Sequence, residues 1–138
     1  MKVSIDTNVI LDVMVGREPH YECSAACLKL CGTQITGLVA ASQTTDIFYL
    51  LCREGHKAPV AKAFLQKLAD HIKVIDVTAA DVKNALASDM SDYEDALLAY
   101  CGKRQKAQYI ITRNEKDFTQ SPVPALSPQA FLKQFFSV

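Results

Sequence analysis

The sequence predicts an α/β chain with about four or five mainly parallel strands in one sheet. Three observations carry this expectation. The apolar run Val3-Ser4-Ile5 ends in Asp6 and passes at once into a helical pattern beginning at Thr7. Two later runs, Ile72 to Val77 and Tyr109-Ile110-Ile111-Thr112, are rich in β-branched residues. Between these runs apolar residues recur at helical spacing, and strands alternating with helices imply parallel crossovers.

In chain order, Val9 to Met14 continue the first helix until Gly16-Arg17-Glu18-Pro19 breaks it. A second helix is expected from about His20 to Leu30, closed by Gly32. Gln34-Ile35-Thr36 reads as a short strand and Ala40 to Arg53 as a helix ended by Gly55. Pro59 suits the first turn of the next helix, which carries Val60, Phe64, Leu65 and Leu68 on one face. After the Ile72 strand, Thr78 and Asp81 form a capping box for a helix through Ala87, and Ser91 with Glu94 suggests another for the helix that follows. Arg113 to Asp117 is turn-rich, and beyond a proline-bearing connector Ser127-Pro128 opens a last helix bearing Phe131, Leu132, Phe135 and Phe136. The whole of residues 1–138 is expected to form one domain.

Fifteen basic and fifteen acidic residues cancel, which removes the bulk electrostatic argument for a broad nucleic-acid surface. A bound divalent cation can still supply positive charge locally. No stretch reaches the roughly twenty apolar residues that span a bilayer, and Asp6 interrupts the only N-terminal apolar run, so a cytoplasmic protein is expected. Five cysteines without a disulfide spacing agree with reduced thiols. Cys23, Cys27 and Cys31 share one helical face; with no histidine at zinc-ligand spacing, they read as small core residues.

Four carboxylates stand where they could converge. Asp6 follows the first strand, Asp46 lies in the third helix, Asp95 is in the first turn of a later helix, and Asp117 follows the Ile110-Ile111 strand. In open parallel sheets the carboxyl ends of the strands face the ligand crevice. Taken singly each acid has an ordinary role: a helix cap for Asp6, an exposed helical position for Asp46, a turn for Asp117. Asp92, Glu94 and Asp95 also suit a helix N-terminus electrostatically. Together, like charges in one partly buried pocket either raise their pKa values or recruit a cation. An all-oxygen donor set selects Mg2+ or Mn2+. Such ions activate water and stabilise charge on a phosphodiester being cleaved.

Val3 to Asp12, Ser42 to Asp46, Tyr93-Glu94-Asp95-Ala96-Leu97, and Ile110 to Asn114 with Asp117-Phe118 resemble the successive motifs of the PIN-domain family. The resemblance spans Met1 to about Phe118. It implies a Rossmann-like three-layer α/β/α sandwich acting as a metal-dependent endoribonuclease, the group that includes VapC-like toxins of toxin–antitoxin pairs. Asp6, Asp95 and Asp117 match the family's metal-site acids, with Mg2+ or Mn2+ as cofactor, and Asp46 matches an acid that is often glutamate. Thr7, Asn8, Thr112 and Asn114 match supporting polar positions. Asp46 is one methylene shorter than glutamate, and Asn114 stands where some relatives carry a carboxylate. The resemblance also implies an RNA substrate, a homodimer and a cognate antitoxin, with no membrane association. Lys103, Arg104, Arg113 and Lys116 flank the acids in sequence and are the candidate phosphate contacts, with Lys106 nearby.

Two other functions compete. A non-catalytic RNA- or protein-binding module would keep the fold and lose turnover, in keeping with Asp46 and Asn114. A haloacid-dehalogenase-like phosphatase also has an aspartate after its first strand, but it needs an acid at position 8, where this chain has Asn8.

Overall fold

The computed structural model describes residues 1–136, so the domain expectation for Ser137 and Val138 lies outside the described residues. Five strands form one sheet: β1 (Lys2–Ile5), β2 (Thr36–Ala40), β3 (Lys73–Ile75), β4 (Tyr109–Ile111) and β5 (Ala125–Leu126). Their spatial order is β3-β2-β1-β4-β5, and every neighbouring pair is parallel. Seven helices accompany them: α1 (Thr7–Met14), α2 (Tyr21–Leu30), α3 (Ala41–Arg53), α4 (Ala58–His71), α5 (Ala79–Ala87), α6 (Tyr93–Arg104) and α7 (Pro128–Phe135). A short 3₁₀ helix, Glu115–Phe118, follows β4.

The two-residue period of a strand divides the core between the faces of the sheet. Val3, Ile5, Val39 and Ile111 point to one side, where they pack with Val9 and Ile10 of α1, Cys27 of α2, Ile47 and Leu51 of α3, Leu68 of α4 and Phe131 of α7. Leu38, Ala40 and Ile110 point to the other side, against α5 and α6. This is the three-layer sandwich expected from the sequence. Cys27 and Cys31 are buried and Cys23 partly so, and all five cysteines are free thiols, in keeping with a packing role.

Backbones approach closely at two glycines. A Cβ on Gly102 would come 2.5 Å from Ser4 Oγ, so α6 can lie directly on β1 and carry its N-terminal acids over the end of that strand. A Cβ on Gly37 in β2 would lie 2.6 Å from Cys31 Sγ and 3.3 Å from Cys31 Cβ. Gly37→Ala is therefore expected to destabilise the fold by about 1–3 kcal/mol through overpacking, read as a lower urea midpoint with an unchanged slope.

The strand expected over Ile72 to Val77 shortens to Lys73–Ile75, and three further features differ from the sequence expectation. The second strand occupies Thr36–Ala40 rather than Gln34–Thr36. Leu38-Val39-Ala40 run into α3 without a turn residue, so nothing local separates the strand from the helix expected to begin at Ala40. The cap of α6 is Asp92, which accepts the Asp95 N–H at 3.0 Å; Ser91 lies one residue too early. β5 pairs with β4 inside what read as a connector, because two residues carry no periodicity. Among the described residues no helix is long and apolar enough to cross a membrane.

Candidate active site

β1 delivers Asp6 to the carboxyl edge of the sheet, where its N–H donates to the Ile111 carbonyl at 2.9 Å. Its extended backbone makes it the N-cap of α1, and Oδ1 accepts the Thr7 N–H at 2.7 Å. Oδ2 accepts the Thr112 hydroxyl at 2.7 Å. Thr112 Oγ1 also accepts the Asn114 N–H at 3.0 Å, tightening the turn after β4. Asp6 is thus both the cap and a site acid: one oxygen serves the helix, and the other is held by the neighbouring strand's loop.

Asp6, Thr7, Asp46, Glu94 and Asp95 line one cleft of about 280 Å³ between the ends of β1, α3 and α6. Asp46 reaches it from the second turn of α3, and Asp95 from the first turn of α6. Asp117, on the 3₁₀ helix, does not line that cleft; it lines a separate one of about 320 Å³ with Arg113, Asn114, Glu115 and Lys116. Its charge nevertheless acts on both Asp6 and Asp95.

The acids compete for charge. Burial raises the Asp6 pKa, the Thr112 and Thr7 hydrogen bonds oppose that rise, and the Asp92 and Asp117 charges add to it. Asp95 is pushed up to about 7 by burial and then by Asp6, Asp92, Asp117 and Glu94. Glu94 is raised by burial and by Asp46, Asp92 and Asp6, and Asp46 by burial alone. Between pH ~4 and ~7 folded Asp95 retains a proton that unfolded Asp95 has released. Stability must therefore fall as pH rises through that window and level off above it. The metal-free protein is expected to melt at a lower temperature at pH 8 than at pH 5, and Mg2+ is expected to raise the melting temperature more at pH 8. Once solvent screening of half-exposed Asp95 is allowed for, the pH difference should be on the order of 1 kcal/mol.

Among the described residues, no three carboxylate, histidine or cysteine side chains stand together as a ready-made metal cage. The donors are oxygens and their charges repel. That set suits Mg2+, which usually takes one or two carboxylates and retains several waters.

Sequence reasoning read Glu94 only as a helix N-terminal acid, although it lines the cleft, and it missed two positioning groups. Gln43 is buried in α3; its Oε1 accepts the Ala40 N–H at 2.8 Å, and its Nε2 donates to the Ile5 carbonyl at 2.9 Å and to Thr7 Oγ1 at 3.2 Å. It grips the residues on both sides of Asp6. Asp12 is fully buried, where its Oδ2 accepts Arg113 Nε at 2.6 Å and the Ser24 hydroxyl at 3.2 Å. Asn8 Oδ1 accepts the Arg113 N–H at 3.4 Å, so α1 anchors the loop leading to Asp117. Glutamine three residues into a helix that lacks a polar cap residue was the one available signal for Gln43. Asp12 lay inside the first motif but had no local partner to mark it.

Of the basic candidates, Arg113 and Lys116 line the cleft beside Asp117. Lys103 and Arg104 are not brought there. They occupy the last turn of α6, about 13 Å along the helix from Asp95 at 1.5 Å per residue. Arg104 is committed to Asp81 at 3.0 Å and Asp76 at 2.9 Å; burial raises the Asp81 pKa, but the Thr78 N–H and then the Arg104 guanidinium hold it below its ordinary value.

Comparison with known proteins bears on the family and the fold. The chain is 21% identical over 140 residues to Ribonuclease VapC1 of Aquifex aeolicus (strain VF5), covering 97% of this chain and 95% of that protein. Its fold is similar to a chain of the VapBC2 complex of Rickettsia felis bound to a promoter DNA fragment, with TM-score 0.71 and 15% identity over 92% of this chain and 98% of that one. It is also similar to Mycobacterium tuberculosis VapC20, a sarcin–ricin loop cleaving toxin, with TM-score 0.63 and 18% identity over 78% of this chain and 86% of that one. The family model described as PIN domain matches residues 2–116, and with the acids gathered at the carboxyl edge of a parallel sheet, this chain belongs to the PIN-domain family.

Proposed function

We propose that this protein is a divalent-metal-dependent endoribonuclease acting as the toxin of a toxin–antitoxin pair. The observation that carries the reading is the convergence of Asp6, Asp95 and the Asp117 charge on one edge, with Asp95 pushed up to about 7. Asp6 and Asp95 would hold Mg2+ or Mn2+, with Asp117 completing the site through water; the ion when bound activates water and offsets the charge that develops on a phosphodiester.

The chain's own groups have separable tasks. Thr112 and the Thr7 N–H fix the Asp6 carboxylate, so its orientation costs nothing at the moment of reaction. Gln43 holds Ile5 and Thr7 on either side of it. Asp46 and Glu94 share the cleft with Asp95 and have raised pKa values; either is suited to accept a proton from the attacking water, and Asp46 is the assignment preferred here. Cleavage by water leaves the phosphate on the 5′ end of one product. Asn8 is tied to the Arg113 backbone and cannot serve as the acid that a phosphatase of the haloacid-dehalogenase type needs at that position.

The VapBC relatives support a cognate antitoxin as a protein partner, and we further propose a homodimer as the functional unit and a cytoplasmic location. Incubation of single-stranded RNA with the protein across Mg2+ and Mn2+ titrations tests the activity. Cleavage dependent on the ion, abolished by chelator and giving 5′-phosphate ends is expected. RNA binding without cleavage at any ion concentration would leave the non-catalytic binding module as the function.

A further inference from the structure

Arg113 faces two clefts. On one side it shares the cleft with Asn114, Lys116 and Asp117. On the other it lines a cleft of about 440 Å³ with His20, Cys23, Ser24, Ser127 and Gln129, and no acidic residue lines that second space. The contrast with the acid-lined cleft around Asp95 is sharp.

Only Nε of the Arg113 guanidinium is committed to Asp12, and its two Nη groups take no acceptor among the described residues. Asp12 is fully buried, so the guanidinium is held in place by a partner that solvent does not reach. A fixed arginine fork with unspent donors matches the geometry of phosphate oxygens. The N-terminal ends of α2 and α7 add to it, since His20 and Ser127 are their N-caps and both line the cleft. The N–H groups of Cys23 and Gln129, in the first turns of these helices, take no backbone acceptor among the described residues.

Resting on the ribonuclease reading, we propose that this cleft is a phosphate subsite for the RNA backbone, holding a phosphodiester that flanks the scissile one, with Arg113 as its principal contact. Because Arg113 also borders the Asp117 cleft, a strand bound there leads to Asp117. The neutral overall charge then poses no obstacle, because the backbone is held at one built site and not by a broad basic face.

The test measures binding of a short fluorescent single-stranded RNA to the full chain in chelator, so that no strand is cut, over a range of KCl concentrations. Gln129 is exposed and sits in the first turn of α7, where glutamate favours the helix. Gln129→Glu should therefore leave the melting temperature unchanged or higher while weakening RNA binding by about fivefold or more, and Gln129→Lys should strengthen binding and steepen the salt slope by about 0.7. Gln34→Glu, on an exposed loop before β2, is the control for general repulsion. Arg113→Lys, which retains charge but not the fork, should weaken RNA binding with the fold intact by circular dichroism. Equal effects at positions 129 and 34 overturn the assignment. So does weakened binding of inorganic phosphate with RNA binding untouched, or tighter binding of an acidic peptide than of RNA. If the wild type cuts RNA but its binding ignores residue 129, the subsite fails and the nuclease stands; if the wild type neither binds nor cuts RNA, both fail.

Discussion

Asp95→Asn is expected to lower metal-dependent RNA cleavage by at least ~10²-fold while making the metal-free protein more stable above neutral pH. The two effects share one cause. Asp95 is pushed up to about 7 by burial and by Asp6, Asp92, Asp117 and Glu94, so in its charged form it weakens the fold and favours a bound cation. The neutral amide removes both consequences. The stability gain should disappear below about pH 4, where the carboxyl is protonated in folded and unfolded chains alike. Asp6→Asn should match the loss of cleavage with less gain in stability, because the Thr7 N–H and the Thr112 hydroxyl already offset its charge. Cleavage rates at saturating Mg2+ and melting curves at two pH values measure both. Unchanged cleavage in Asp95→Asn would remove it from the site, and a lower melting temperature at pH 8 would refute the electrostatic account.

Arg113→Ala is expected to destabilise the protein by about 3–5 kcal/mol, the usual result of stripping the partner from a buried charge. Asp12 is 0% exposed and its Oδ1 already has no hydrogen-bond partner, which leaves only the Ser24 hydroxyl at 3.2 Å. Replacing both partners, as in Asp12→Leu with Arg113→Met, should recover most of that loss. Chemical denaturation of Asp12→Leu, Arg113→Met and the double variant measures the coupling directly. If the double variant is no more stable than Arg113→Ala, the pair does not act as a unit. Even if stability recovers, RNA binding should not, because the guanidinium is gone.

Much of the site could be read locally. Asp6 announced itself because a strand, a cap and a helix follow one another within a dozen residues, and each signal depends only on near neighbours. Asp95 and Asp117 were legible as first-turn and post-strand acids, in an order that the family motifs repeat. The second strand was misread because Ala40, the cap of α3, has no polar side chain to mark the boundary. Its N–H is satisfied by Gln43, whose other bonds reach Ile5 and Thr7. A bond across 38 residues leaves no local pattern.

By itself the sequence determined the α/β alternation, the parallel sheet and the places of Asp6 after β1 and Asp95 in the first turn of α6, because these follow from hydrophobic periodicity, capping chemistry and motif order along the chain. Tertiary structure alone decided which charges face one another. It separated Arg104, which is spent on Asp76 and Asp81, from Arg113, which is anchored on Asp12. It also gave Asp95 its raised pKa. Burial and the approach of side chains distant in sequence set those energies, and neither quantity exists until the strands have paired and α6 has closed over Gly102 onto β1.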